Sequence, residues 1–144
     1  MVEQNEMMQV LEKTPLFHGL RRRQLERLAR RFVEREFEAG EVIVAQGQGG
    51  AGFFVVVTGE AEAVLERGDG SKTALNPLGA NDFFGEMALL TDAVRSASVI
   101  AKTQVTCLVL TRWDFLSILK EDAEMAVAVL QELATRFSRV MSSL

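Results

Sequence analysis

Along this 144-residue chain the spacing of apolar positions changes twice, from helical to alternating and back. Met7 to Lys13 reads as a short helix stopped by Thr14-Pro15, because the residue before a proline avoids the helical region. Arg21 to Val33 reads as a second helix, with Leu25, Leu28, Ala29 and Phe32 on one face. From about Phe37 to Leu110 short runs rich in Val, Phe and Thr are punctuated by Gly40, Gly47, Gly59, Gly68-Asp69-Gly70 and Pro77-Leu78-Gly79. Such a pattern predicts a hairpin-rich antiparallel barrel or jelly roll. Helical spacing then returns. Thr111-Arg112-Trp113-Asp114 resembles a capping box that starts a helix to about Lys120. A last helix runs from about Asp122, with Met125, Val129, Leu133, Phe137 and Met141 four residues apart. The expected fold class is α+β: a β-roll over about 37–110, helices within about 7–33 before it and over about 112–143 after it, all in one domain.

Composition narrows the class. With 48% hydrophobic and 25% charged residues the chain can bury one core and little more. It has no long charge-free apolar run, and Met1 to Glu6 lacks the basic end and apolar middle of a signal peptide, so a cytoplasmic protein without a membrane segment is expected. The single cysteine, Cys107, lies in the alternating stretch Thr103 to Thr111 and is expected to be a buried, inert thiol. Arg21, Arg22, Arg23, Arg27, Arg30, Arg31 and Arg35 invite a nucleic-acid reading. The net charge of −4 and the interleaved Glu26, Glu34, Glu36 and Glu38 favour a solvated face instead. Enzyme chemistry is not expected. His18 is the only histidine, too few for a cupin-like metal site, and no nucleophile-elbow sequence accompanies it.

One segment carries chemistry: Phe84-Gly85-Glu86-Met87-Ala88-Leu89-Leu90, then Arg95-Ser96-Ala97. Met87, Leu89 and Leu90 suit one short helix over Glu86 to Thr91, whose first N–H groups lack intrahelical partners and attract anions. Gly85 at its entry permits unusual dihedrals and close approach to the backbone. Arg95, nine residues after Glu86, is able to fold back and give a phosphate two parallel hydrogen bonds. Glu86 is itself anionic, so its oxygens are better assigned to a sugar hydroxyl. The plain alternative is a surface Glu86–Arg95 ion pair, which would contribute little.

These residues resemble the phosphate-binding cassette of cyclic nucleotide-binding domains of the catabolite-activator and protein-kinase-regulatory-subunit type, also found in cyclic-nucleotide-gated channels. The family pattern Phe-Gly-Glu-Leu-Ala-Leu, a loop, then Pro-Arg-x-Ala-Thr-Val appears here as Phe84 to Leu89 and Val94 to Val99. Pro15-Leu16-Phe17, Ala39-Gly40-Glu41, Gln46-Gly47 and Thr58-Gly59 match further family turns. Val94 replaces the usual proline, Asn81 a common glycine, and Gln48 and Gly52 stand where acidic residues are frequent. Asn81 tolerates the left-handed region, so that turn is expected to survive.

The resemblance implies a ligand-binding set of Gly85, Glu86, Met87, Ala88, Arg95, Ser96 and Ala97. Gly85 and Ala88 would offer N–H groups, Glu86 would take the ribose 2′-hydroxyl, and Arg95 the cyclic phosphate. The implied ligand is cAMP or cGMP, with cAMP favoured by analogy with bacterial relatives, and no metal is implied. Ser96 does not settle the base. In the resembling domains the last helix swings in as a lid, which makes Arg136, Phe137 and Val140 candidates for base contact. Its apolar stripe would otherwise pair with a second copy, so the expected partners are an effector protein or a homodimer through this helix. No DNA-binding module is expected, because the chain ends at Leu144. The alternative function is a structural interaction domain that keeps the fold and senses nothing.

Overall fold

The protein, as a computed structural model, is described for residues 4–48, 52–91 and 95–143. The chain divides into two compact units, residues 32–112 and residues 1–31 with 113–144.

The first unit is the β-roll, jelly-roll-like as expected, and with the helices of the second unit it makes the chain α+β. Among the described residues eight strands, β1 (Val33–Phe37), β2 (Val42–Val44), β3 (Gly52–Thr58), β4 (Ala61–Glu66), β5 (Lys72–Leu78), β6 (Phe83–Phe84), β7 (Ser98–Ala101) and β8 (Val105–Thr111), form two antiparallel four-stranded sheets. Their orders are β1-β8-β3-β6 and β2-β7-β4-β5. Alternation sends Phe54 and Val56 of β3, and Val105, Cys107 and Val109 of β8, into one core with Ala61, Val99 and Ala101. Phe54 and Phe84, paired across β3 and β6, stack at 5.0 Å with planes 4° apart. The other side of β3 is also buried: Phe53 meets the rings of Phe32 and Phe83 at 6.0 and 5.5 Å. This double burial explains the continuous Phe53-Phe54-Val55-Val56-Val57 run, which is less polar than a strand with one solvated face needs.

The helical spacing expected to run on to Val33 ends earlier. Helix α2 spans Arg22–Ala29, and Val33–Phe37 is a strand paired with β8 from Val33↔Val109 to Phe37↔Val105. Val-Glu-Arg-Glu-Phe has no strong local preference, so the long-range ladder decides its state. Phe32, expected on the helix face, instead packs edge-on against Phe53. Asn81 adopts φ 72°, the left-handed turn expected of it.

The second unit holds α1 (Gln4–Lys13), a 3₁₀ turn at Pro15–Phe17, α2, α3 (Arg112–Glu121, entering from the roll) and α4 (Ala123–Ser142). Thr14 is extended, as its place before Pro15 requires, and its buried hydroxyl donates to the Val10 carbonyl at 3.0 Å. Asp122 caps α4 by accepting from the Met125 N–H at 3.0 Å, and that bond holds its carboxyl below the usual range. Leu25, Leu28, Met125, Phe115 and Ile118 are buried, and the Phe17 and Phe115 rings meet at 5.8 Å. Four arginines of the basic cluster are paired: Arg22 with Glu26 at 3.2 Å, Arg31 with Asp114 at 3.3 Å, Arg21 with Glu124 at 3.9 Å, and Arg27 with Glu121. His18 is exposed in its turn, 3.8 Å from Glu132. No helix among the described residues is long and apolar enough to cross a membrane.

The stripe on α4 divides. Met125 and Val129 are buried, whereas Phe137 is 66% and Met141 53% exposed. A second row, Val127, Leu130, Ala134, Phe137 and Met141, alternates spacings of three and four residues and is exposed throughout.

Burial pushes the Cys107 thiol up to about 11. The thiolate is then scarce at pH 8, so a disulfide reagent should label native protein about a hundredfold or more slowly than denatured protein. Labelling at comparable rates would contradict the packing of Cys107.

Candidate functional site

The site begins where β6 ends. Pairing of Phe84 with Phe54 delivers the next residue, Gly85, beside the start of β3. Gly85 has φ 85° and ψ 20°, a left-handed conformation that favours glycine. It opens a 3₁₀ turn, Glu86–Leu89, in place of the longer helix expected to Thr91. Ala88 N–H donates to the Gly85 carbonyl at 3.0 Å, while Leu90 and Thr91 both donate to Met87, at 3.1 and 3.2 Å. Sharing one carbonyl closes the turn, which is why it does not lengthen.

Arg95 is held by three bonds, two to the turn after β2 and one to the first residue of β3. Its N–H donates to the Gln48 carbonyl at 2.8 Å, its own carbonyl accepts from Gly47 N–H at 2.9 Å, and its Nη2 donates to the Gly52 carbonyl at 2.8 Å. The side chain is half-buried, and Nε is buried without a hydrogen-bond partner among the described residues. Desolvation by burial lowers the guanidinium's pKa, but an arginine stays charged at neutral pH.

Gly85 has a stricter role than allowing a ligand to approach. A Cβ there would lie 2.4 Å from Arg95 Nη1 and 2.8 Å from the Gly52 oxygen. Gly52 is constrained in turn, since a Cβ on it would lie 2.4 Å from the Leu110 carbonyl of β8. Two glycines and one carbonyl therefore form the seat of the arginine.

Gln46 anchors the same segment from the other side. Its side-chain amide donates to the Glu66 carbonyl at 3.0 Å and accepts from Glu66 N–H at 2.7 Å. Its backbone N–H donates to the Ser98 hydroxyl at 2.8 Å. Sequence reading found Gln46-Gly47 only as a family turn and missed Gln48, Gly52 and Ser98 as supports of Arg95. The first two act through backbone atoms, which leave no side-chain signal; Gly52 was noted only for lacking an acidic group.

A cavity of about 370 Å³ opens on this seat. All seven residues expected from the sequence line it: Gly85, Glu86, Met87, Ala88, Arg95, Ser96 and Ala97. Val44, Ala63, Phe84, Thr91 and Val99 complete the wall. The lid candidates Arg136, Phe137 and Val140 lie on α4 in the helical unit. There Arg136 meets Glu132 at 3.6 Å, and Phe137 and Val140 are exposed. Val94 lies outside the described residues.

The family model described as cyclic nucleotide-binding domain matches residues 34–122. The chain belongs to this family. It is 39% identical over 95 residues to a cAMP-dependent protein kinase regulatory subunit of Emericella nidulans, covering 66% of this chain and 22% of that protein. It is 32% identical over 110 residues to the cyclic AMP receptor protein of Thermus thermophilus, covering 76% of this chain and 51% of that one. The chain thus spans only a part of the curated relatives it matches. Among solved structures, the N-terminal domain of a transcriptional regulator from Streptomyces coelicolor A3(2) superposes with a TM-score of 0.82 at 28% identity, covering 93% of this chain and 94% of that one.

The seat is testable without a ligand. Gly40 has φ 89° and open space around it, so Gly40→Ala should cost only the left-handed strain of about 1–2 kcal/mol. Gly85→Ala adds overpacking against Arg95 and should cost about 1–3 kcal/mol more. Equal losses in urea unfolding would remove Gly85 from the arginine seat.

Proposed function

We propose that this domain is a non-catalytic, cytoplasmic receptor for a 3′,5′-cyclic nucleotide, with cAMP as its ligand. The observation that carries the reading is the half-buried Arg95, fixed by the Gly52 carbonyl and lining a cavity with an unpartnered Nε. A buried cation without a carboxylate partner is costly, and a bound phosphate relieves that cost. Arg95 holds the cyclic phosphate. Backbone N–H groups from Gly85 to Ala88 support it, the one on Ala88 by sharing its bond to Gly85. Glu86 accepts from the ribose 2′-hydroxyl, and Met87, Ser96 and Ala97 pack around the nucleoside. The preference for cAMP is supported by what the relatives' names state of those proteins.

Calorimetry tests these roles. Arg95→Ala should lose about 2–4 kcal/mol of cAMP binding, on the order of 30- to 1000-fold, with little change in folding. Wild type should prefer cAMP over 2′-deoxy-cAMP, and Glu86→Ala should bind the two about equally. Absence of heat with wild-type protein at millimolar cAMP would leave a structural interaction domain as the function.

Binding is read out by α4. Its exposed row from Val127 to Met141 is an apolar face that an amphipathic helix needs to cover, and its alternating three- and four-residue spacing suits a partner helix. The partner is a second copy or an effector protein, and Arg136, Phe137 and Val140 close over the base. Hydrogen exchange in residues 131–140 should slow on adding cAMP beyond any uniform effect of binding. Unchanged exchange there would make α4 a scaffold.

A further inference from the structure

Strand β7 stops where the site begins. Its pairing with β4 runs through Glu62↔Ile100, Ala63↔Val99 and Val64↔Ser98. Continued by two residues, that register would set Ser96 against Glu66, the last residue of β4. The strand starts only at Ser98, and the chain bends at Ser96 and Ala97, which line the cavity. A ladder that ends early leaves the neighbouring strand's N–H and carbonyl in need of other partners.

On Glu66 both groups are taken by a side chain. Gln46 Oε1 accepts from the Glu66 N–H at 2.7 Å, and Gln46 Nε2 donates to the Glu66 carbonyl at 3.0 Å. A carboxamide carries the same donor and acceptor as a peptide group, and this double exchange is the one an antiparallel neighbour makes. Gln46 follows β2, which lies on the far side of β7 in the sheet order β2-β7-β4-β5. Its carboxamide therefore stands in the ladder place that β7 gives up.

The same residue controls the arginine. Gln46 and Gly47 are the central residues of a turn closed by the Gln48 N–H on the Ala45 carbonyl at 3.2 Å, with Gly47 at φ 81°. Gln46 N–H donates to the buried Ser98 hydroxyl at 2.8 Å, and Gly47 and Gln48 hold the Arg95 backbone through their two bonds. The turn is thus tied to β4, to β7 and to Arg95 at once.

We propose that Gln46 is a positioning residue for the phosphate site: by occupying the ladder place opposite Glu66 it keeps β7 from extending and holds Arg95 to Ala97 at the cavity. This rests on the receptor reading. Two arrangements compete for the Glu66 backbone, one with the Gln46 carboxamide and one with Ser96, and only the first presents Arg95 to an anion. Linkage makes the effect reciprocal, so a phosphate on Arg95 strengthens the Gln46–Glu66 pair at the end of β4.

Titration of the full chain with cAMP tests it. Gln46→Met keeps the length of the side chain and removes both bonds, and it should weaken cAMP about tenfold. In an Arg95→Ala background the same change should alter affinity by less than about threefold, because Gln46 acts through Arg95, whereas a merely structural role would repeat the full loss. Hydrogen exchange of the Glu66 N–H in the unaltered protein should slow on adding cAMP beyond any uniform effect of binding, a readout that needs no variant to fold. Wild-type affinity in Gln46→Met, equal losses in both backgrounds, or unchanged exchange at Glu66 would each overturn the inference and leave the receptor reading intact. Absence of cAMP binding by the unaltered protein would overturn the receptor reading, and this inference with it.

Discussion

The hydrogen bond from Arg95 to the Gly52 carbonyl is the constraint around which the site is arranged. A guanidinium pulled halfway out of water is costly to hold, and more so with Nε unpartnered. Among the described residues its position is fixed by backbone rather than by a carboxylate: one carbonyl at its tip, and the Gln48 carbonyl and Gly47 N–H at its base. A carboxylate would neutralise the charge. A carbonyl orients the side chain and leaves the full positive charge for an anion.

The neighbouring strands supply that carbonyl. Gly52 has to approach β8 closely enough that no Cβ fits, and the β3–β8 ladder from Gly52↔Thr111 onward sets that approach. Gly85 has to pass over the guanidinium, and the stacked Phe54–Phe84 pair between β3 and β6 brings it there. The core and the site are thus joined by the same pair of rings. A change in Phe54 or Phe84 would act on the arginine as well as on packing.

The second sheet contributes differently. Among the described residues it carries no charge into the cavity, only the row of Val44, Val99 and Ala63, so contact with that wall contributes through buried area rather than matched hydrogen bonds.

What the sequence determined by itself is local. The Phe84 to Leu90 segment with Arg95 named the lining of the site, Asn81 and Gly85 were readable as special backbone positions, and the alternation from Phe37 to Leu110 was readable as a roll. Each depends on residue type and near neighbours. Tertiary structure decided whatever depends on pairing across the chain. It made Val33, expected as the end of a helix, the first residue of a strand that runs to Phe37, because β8 lay alongside. It placed Val44, Ala63 and Val99 side by side and made the Gly52 carbonyl the partner of Arg95. It also buried only the first half of the α4 stripe, leaving Phe137 and Met141 exposed on a helix whose periodicity is uniform. A backbone carbonyl is present in every residue and carries no signature in sequence; only the register of β3 against β8 and β6 gives the one at Gly52 its role.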